Sequence, residues 1–200
     1  MKNIDRRLPR EMTASCDNQR TVVRKIFLCA ATATLLHGSL ASAAWITINP
    51  PPGAVILRIN FAGTPTITFN VTAAQMGNGI PVAGTPTLEF EMAVQRAGPT
   101  DLTATMTATA PAALFSGANQ IPITDISWTS AAIAGAPGGT TVIPNGSFVA
   151  GPQTIVSITT TAGGNFYAGG DLTFYFANTT VYTQGTYGPA SVNYTASRSP

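Results

Sequence analysis

Charged residues are scarce in this 200-residue chain, at 9% of the sequence, and most of the basic ones lie near the N terminus. Residues 1–43 contain seven of the ten basic residues, both cysteines and the single histidine. Residues 44–200 therefore contain no lysine, histidine or cysteine. Their three arginines are outnumbered by five carboxylates, which gives this part of the chain a formal charge of −2.

These absences exclude most catalytic chemistry from residues 44–200. Without histidine or cysteine there is no Ser-His-Asp triad, no thiolate nucleophile and no imidazole or thiolate metal site. Without lysine there is no Schiff base, and without a basic patch nothing neutralises the phosphates of a nucleic acid. We expect no enzymatic activity, no catalytic, cofactor-binding or metal-binding residue, no cofactor and no nucleic-acid partner.

Carboxylates are the remaining candidates for catalysis. Glu89 and Glu91 stand two residues apart in a strand-like segment and so share one face, as a glycosidase pair would require. The alternate positions of that segment are apolar, so we interpret the two glutamates as part of a solvated outer face. A carboxylate glycosidase is a remote alternative. Asp125 and Asp171 adjoin predicted turns, where Asx turns explain them better than calcium binding does.

The N-terminal region has the pattern of a secretory signal. A basic stretch that ends at Lys25 precedes the apolar run "IFLCAATATLL", which is too short to span a bilayer, and small residues follow at Ala41 and Ala43. We predict a signal peptide over residues 1–43, with translation starting at Met1 or Met12, and no membrane span after cleavage. An uncleaved membrane anchor is the alternative.

Strand signals recur along the rest of the chain, separated by turns rich in Gly, Pro and Asn. With the C-terminal stretch, they predict an all-β, immunoglobulin-like antiparallel β-sandwich of about seven to eight strands. We expect one domain over residues 54–200, preceded by an N-terminal extension over residues 44–53. Trp128 is predicted to lie in the core. The predicted strands are Val55–Phe61, Thr66–Val71, Thr87–Val94, Leu102–Ala110, Ile123–Thr129, Thr154–Thr159 and Leu172–Ala177.

The end of the chain alternates apolar and polar residues from Ala190 to Ala196, the period of a half-buried strand. The signal, the β-sandwich layout and the ending "GTYGPASVNYTAS" together resemble the subunits of bacterial chaperone–usher fimbriae, in their cysteine-poor branch. Gly185 and Gly188 precede the last strand, and Tyr194 stands near its end, as a glycine and an aromatic residue often do in that family.

The resemblance implies a structural subunit of a surface fimbria, or pilus, that contributes to adhesion. Such a fold lacks its final strand. Its C-terminal strand, here with Val192, Tyr194 and Ala196, lines a groove that a periplasmic chaperone fills first. At an outer-membrane usher, the N-terminal segment of the next subunit then replaces the chaperone. The donor here would be "AWITINP", with Ile46 and Ile48 inserted, and the partners would be copies of this chain or related subunits.

A self-contained secreted or cell-surface binding module is the second interpretation, with carbohydrate as one candidate ligand. Aromatic rings can stack on sugars, and the last third of the chain contains Phe166, Tyr167, Tyr182 and Tyr187. Packing within the domain is the alternative role for these rings. In this interpretation the last strand is completed within the chain, and the N-terminal segment pairs with its own domain.

Overall fold

In a computed structural model of this protein, twelve strands and one short 3₁₀ helix form the regular structure of the residues that can be described. The structure describes residues 45–46, 48–60, 65–161 and 163–200, so the predicted signal peptide lies outside the described residues. The strands are β1 (Val55–Asn60), β2 (Val82–Ala83), β3 (Leu88–Gln95), β4 (Thr103–Ala110), β5 (Ala113–Ser116), β6 (Asn119–Pro122), β7 (Ile126–Ala131), β8 (Thr141–Val142), β9 (Gly146–Ser147), β10 (Gly151–Thr159), β11 (Asn165–Phe176) and β12 (Asn193–Ser199), and the 3₁₀ helix is Ile123–Asp125.

The strands form two sheets and a hairpin. The larger sheet has the order β1-β3-β11-β7-β9, and β2 and β8 also pair with β11. The smaller sheet has the order β10-β4-β12, and β5 pairs with β6 in the separate hairpin. All these pairs are antiparallel except the short contact between β8 and β11. The prediction of an all-β antiparallel sandwich is confirmed.

The core forms where the inner faces of the two sheets meet. Alternation along β4 turns Ala104, Met106 and Ala108 inward, while its threonines point outward. From the larger sheet, β3 and β11 contribute Phe90 and Phe174, both buried. Trp128 is only 4% exposed, so its predicted place in the core is confirmed. Small alanines on β4 leave room for these large rings on the opposite sheet.

Most predicted strands match observed ones within a few residues, but the strand predicted at Thr66–Val71 is wrong. That segment makes only an isolated two-residue bridge between Thr68 and Thr85. Its alternation is real, because Ile67, Phe69 and Val71 are half-buried and pack against the core. These side chains line the open side of the sandwich. The alternating pattern therefore reflects packing against the core, and the backbone of this segment has no continuous strand partner.

The sequence pattern does not predict the β5–β6 hairpin, because its strands are only four residues long. Its two-residue turn is Gly117-Ala118, and Gly117 has φ of 59°. Glycine adopts this left-handed conformation without steric cost. Within the part of the chain that the structure describes, no helix is long and apolar enough to cross a membrane.

An aromatic contact joins the last strand, β12, to the larger sheet. The ring of Tyr194 on β12 lies 4.7 Å from the ring of Phe90, centroid to centroid. Burial raises the pKa of the Tyr194 hydroxyl above its ordinary value. The contact joins the two sheets near the edge of each.

We expect Tyr194→Ala to lower the free energy of unfolding by about 2–4 kcal/mol, because it removes a large, half-buried ring from the inter-sheet contact. Tyr194→Phe is the matched control, since it keeps the ring and should cost under about 1 kcal/mol. Urea denaturation of both variants measures the difference. An Ala variant as stable as the Phe variant would contradict this role for the ring.

Candidate functional site

A groove with a volume of about 1170 Å³ lies over the apolar core. We call it the inter-sheet groove. Core side chains such as Leu88, Phe174 and Phe176 form its floor. One wall is the segment 65–72, and the other is the segment 182–194. The β5–β6 hairpin closes one end with Leu114 and Ile121.

Strand β12 begins in this groove. Among the described residues, β12 forms a strand ladder only with β4, so its second edge has no ladder partner, although β1 of the larger sheet lies near it. An unpaired edge offers alternating N–H and C=O groups to an incoming strand. The groove therefore combines an apolar floor with a free strand edge, which are the two features that strand addition uses.

The second wall is held in position by polar anchors. The Tyr182 hydroxyl donates a 2.6 Å hydrogen bond to Asp125, at the end of the 3₁₀ helix. Partial burial, followed by this hydrogen bond, raises the pKa of Tyr182. Four residues before this segment, buried Asn178 accepts from the Gly77 N–H and donates to the Gln75 carbonyl. These bonds fix the wall against the rest of the domain.

The predicted groove residues do not all lie in the groove. Val192 and Tyr194 line it, whereas Ala196 packs against the core without lining it. Val192 also precedes the strand, which begins at Asn193. Part of the predicted C-terminal strand is therefore brought to the groove, and the contribution of these residues to partner binding stays a prediction.

The predicted donor segment lies on the opposite face of the larger sheet. There the Trp45 N–H donates to the Ala134 carbonyl at 3.1 Å, and the Trp45 ring contacts Tyr167 edge-on at 5.5 Å. The Ile46 N–H donates to Glu91 Oε1 at 3.1 Å. The Ile46 side chain is 53% exposed, and Ile48 is half-buried. We call the contact surface of Trp45 and Ile46, formed by Ala134, Tyr167, Gly169 and Glu91, the outer-face seat.

The interpretation of Glu89 and Glu91 as a solvated face is wrong, because both side chains are buried. Glu89 is 3% exposed and Glu91 is 0% exposed. The Arg58 guanidinium on β1 bonds both, from Nη2 to Glu89 Oε1 at 2.9 Å and from Nε to Glu91 Oε2 at 2.7 Å. Burial is tolerated because this cation compensates the two carboxylates and because the N-terminal segment covers them.

The predicted role of Asp171 in an Asx turn is also wrong. Asp171 lies in the interior of β11, in register with Glu89 on β3 and Ala131 on β7. Its Oδ1 atom is buried without a hydrogen-bond partner among the described residues. Desolvation raises the pKa of Asp171 above its ordinary value. The Asp171 carboxylate therefore adds negative charge to the outer face of the larger sheet, where Arg58 already pairs with Glu89 and Glu91.

The four aromatic residues considered for sugar binding do not form one cluster. Tyr182 and Tyr187 line the inter-sheet groove, with ring centroids 6.3 Å apart. Tyr167 lies in the outer-face seat, and Phe166 packs against the core. A flat array of stacked rings is therefore not formed by these four side chains. The two groove tyrosines are the pair available to a ligand in the groove.

Among the described residues, no group of three or more His, Cys, Asp or Glu side chains is arranged to hold a metal ion. The acids nearest to one another on the outer face are engaged by Arg58 rather than arranged around an open position. Comparisons with protein-family models, with curated proteins and with solved structures found no match to this chain.

Replacing Arg58 with Leu should lower the free energy of unfolding by about 3 kcal/mol, because two buried carboxylates lose their cation. Arg96→Leu is the matched control. Arg96 pairs at 3.4 Å with Asp101, whose side chain is 53% exposed, so its loss should cost under about 1 kcal/mol. Urea unfolding of both variants provides the measurement. Equal losses would show that burial of the Arg58 pairs contributes nothing extra.

Asp171→Asn should raise the midpoint of thermal unfolding at neutral pH. Because the folded-state pKa is raised, the stability that Asp171 contributes is greatest at low pH and is lost as the pH rises through that pKa. The gain from Asn should therefore shrink as the pH falls towards about 4. Thermal melts of both proteins between neutral and acidic pH, with Asp101→Asn as control, test this. A gain that does not depend on pH would contradict the explanation by desolvation.

Proposed function

We propose that this protein is a structural subunit of a bacterial surface fimbria, assembled by strand donation and contributing to adhesion. The observation that carries the proposal is the inter-sheet groove beside the free edge of β12. Half-buried apolar side chains such as Ile67, Phe69 and Val192 line this groove, and a strand from elsewhere would cover them. A second copy of the same chain is a source that is always present where the protein is made.

The chemistry of the groove suits an inserted β-strand. The incoming backbone would pair with β12, which satisfies polar groups on both strands. Its alternate side chains would lie on Leu88, Phe174 and Phe176, the apolar floor. Strand pairing supplies affinity for any sequence, and the floor selects a strand with large apolar side chains at alternate positions.

The N-terminal extension has such a pattern in Ile46 and Ile48. Residues in alternate positions of a strand point the same way, so both isoleucines can enter one groove. Donation from one copy to the next is a heterologous contact that does not close on itself, so it produces chains. Before assembly the uncovered groove would need protection, which is the role we assign to a periplasmic chaperone, with an outer-membrane usher as the site of exchange.

A catalytic function has little support from the geometry of the acids. Glu89 and Glu91 are buried and paired with the same arginine, so neither has an open position towards a substrate. A glycosidase pair would instead flank a cleft that admits a sugar. We therefore propose a binding and assembly role and no enzymatic one.

The second candidate function is a self-contained surface binding module. One specific observation favours it, since Trp45 and Ile46 bind their own domain in the outer-face seat. In that case the inter-sheet groove would take a ligand rather than a strand, with Tyr182 and Tyr187 at its wall. The two candidates differ in whether the purified mature protein forms chains.

Purified mature protein, co-expressed with any neighbouring periplasmic chaperone, should form head-to-tail chains, and Ile46→Asp/Ile48→Asp should not. Each inserted isoleucine contributes on the order of 1.5–3 kcal/mol, and a carboxylate there would be buried without a partner. The double variant should also lose some unfolding free energy, because Ile48 is half-buried and position 46 lies beside the Glu91 carboxylate, so urea unfolding of each variant checks that it is folded when chain length is measured. Size-exclusion chromatography with light scattering measures chain length.

Val149→Asp is the matched control, because Val149 is 46% exposed and lies outside the groove and the donor segment. It should leave chain length unchanged. A native protein that stays folded, monomeric and free of chaperone would contradict the fimbrial proposal and support the self-contained module. Shortened chains in both the double variant and Val149→Asp would also count against specific donation by Ile46 and Ile48.

A further inference from the structure

The outer-face seat is shaped for the Trp45 ring. A Cβ atom placed on Gly169 would lie 2.8 Å from the Phe90 carbonyl oxygen, 2.9 Å from Trp45 Cζ3 and 3.1 Å from Ile133 Cδ1. Any residue larger than glycine at this position of β11 would therefore crowd both the β3 backbone and the indole. Tyr167, two residues earlier on the same face, supplies the edge-on ring contact. The seat is thus a depression in the sheet filled by one side chain of the N-terminal segment.

Polar contacts hold the segment at both ends of its described length. The buried carboxylate of Glu91 accepts the Ile46 N–H, a charge-assisted hydrogen bond. Arg58 holds that carboxylate in place from its other oxygen. Farther along, Asn165 Nδ2 donates to Asn49 Oδ1 at 3.1 Å. The base of the segment is fixed by the Gly53 N–H, which donates to the Gln95 carbonyl at 2.8 Å.

The seat is also incomplete in one respect. The indole Nε1 of Trp45 is buried without a hydrogen-bond partner among the described residues. A buried donor without an acceptor opposes binding, because it has lost its hydrogen bonds to water. Several contacts therefore bind the segment to the seat, and the unsatisfied indole N–H weakens this binding. Such a balance permits release of the segment from the seat.

The two sides of the segment have different surroundings. Trp45 enters the seat, whereas the Ile46 side chain is 53% exposed. Adjacent residues of an extended segment point in opposite directions. The side chain that binds its own domain, Trp45, is therefore not one of the two that would enter the groove of a neighbouring subunit, Ile46 and Ile48. The same backbone cannot lie in both sites at once.

We propose that the outer-face seat is a binding site for the chain's own Trp45 and Ile46, and that the N-terminal segment bound there acts as a strap that limits chain growth. This inference rests on the proposed function, in which the same segment completes a neighbouring copy. Only the released fraction of molecules can donate, so the rate of growth is reduced in proportion to that fraction. The strap delays donation without altering the groove or the donor side chains.

Trp45→Ala is the test variant, and Trp45→Phe is its matched control. Trp45→Ala removes the ring from the seat and leaves Ile46, Ile48 and the groove unchanged. We expect backbone amide exchange in residues 45–50 to accelerate about tenfold in the Ala variant, and the initial rate of chain growth to rise by a similar factor. The Phe variant keeps a ring in the seat and should show a smaller change in both.

The measurements are hydrogen–deuterium exchange of the full mature protein and light scattering during chain growth. Faster exchange without faster growth would overturn the strap, and so would unchanged exchange in the Ala variant. If the native protein and both variants never form chains, the proposed function fails, and the strap's control of growth fails with it. Exchange in residues 45–50 would then show separately whether the seat binds the segment.

Discussion

Apolar side chains on the inner faces of two sheets must be covered, and this constraint governs the rest of the structure. The sheets cover each other along β3, β4 and β11, where Phe90, Met92 and Met106 are buried completely. A groove remains between the start of β12 and the segment 65–72, which makes only an isolated bridge. Core residues such as Phe174 form the floor of this groove. The opening follows from the sheet order, because β12 is an edge strand with one partner.

Much of the fold could be predicted from the sequence, because the period of two is strong wherever one face of a strand is buried. The alternation in β4 located that strand to within one residue, whereas the β-branched and aromatic residues of β11 located only its second half. The same signal failed at residues 66–71, where alternation reflects packing along the groove rather than pairing in a sheet. Alternation reports which side chains face the core, and it does not report whether the backbone has a partner.

The outer face of β3 could not be predicted because its cover comes from distant parts of the chain. The alternating pattern correctly predicted that Glu89 and Glu91 point away from the core. It could not predict that Trp45 and the segment near Ala134 cover that face. Two signals were present in the sequence. Arg58 is an arginine inside an apolar strand, where its charge needs a partner, and Gly169-Gly170 interrupts a strand, which often marks a close approach by another segment.

The central claim is that the free edge of β12 receives a strand. Backbone amide exchange along Asn193–Ser199 tests it most directly, compared between the monomer and assembled chains. Alternate amides of β12 bond to β4 and are protected in both states, whereas the intervening amides should exchange rapidly in the monomer. The account predicts that these intervening amides become protected on assembly. Rapid exchange that persists in assembled chains would contradict strand addition at β12.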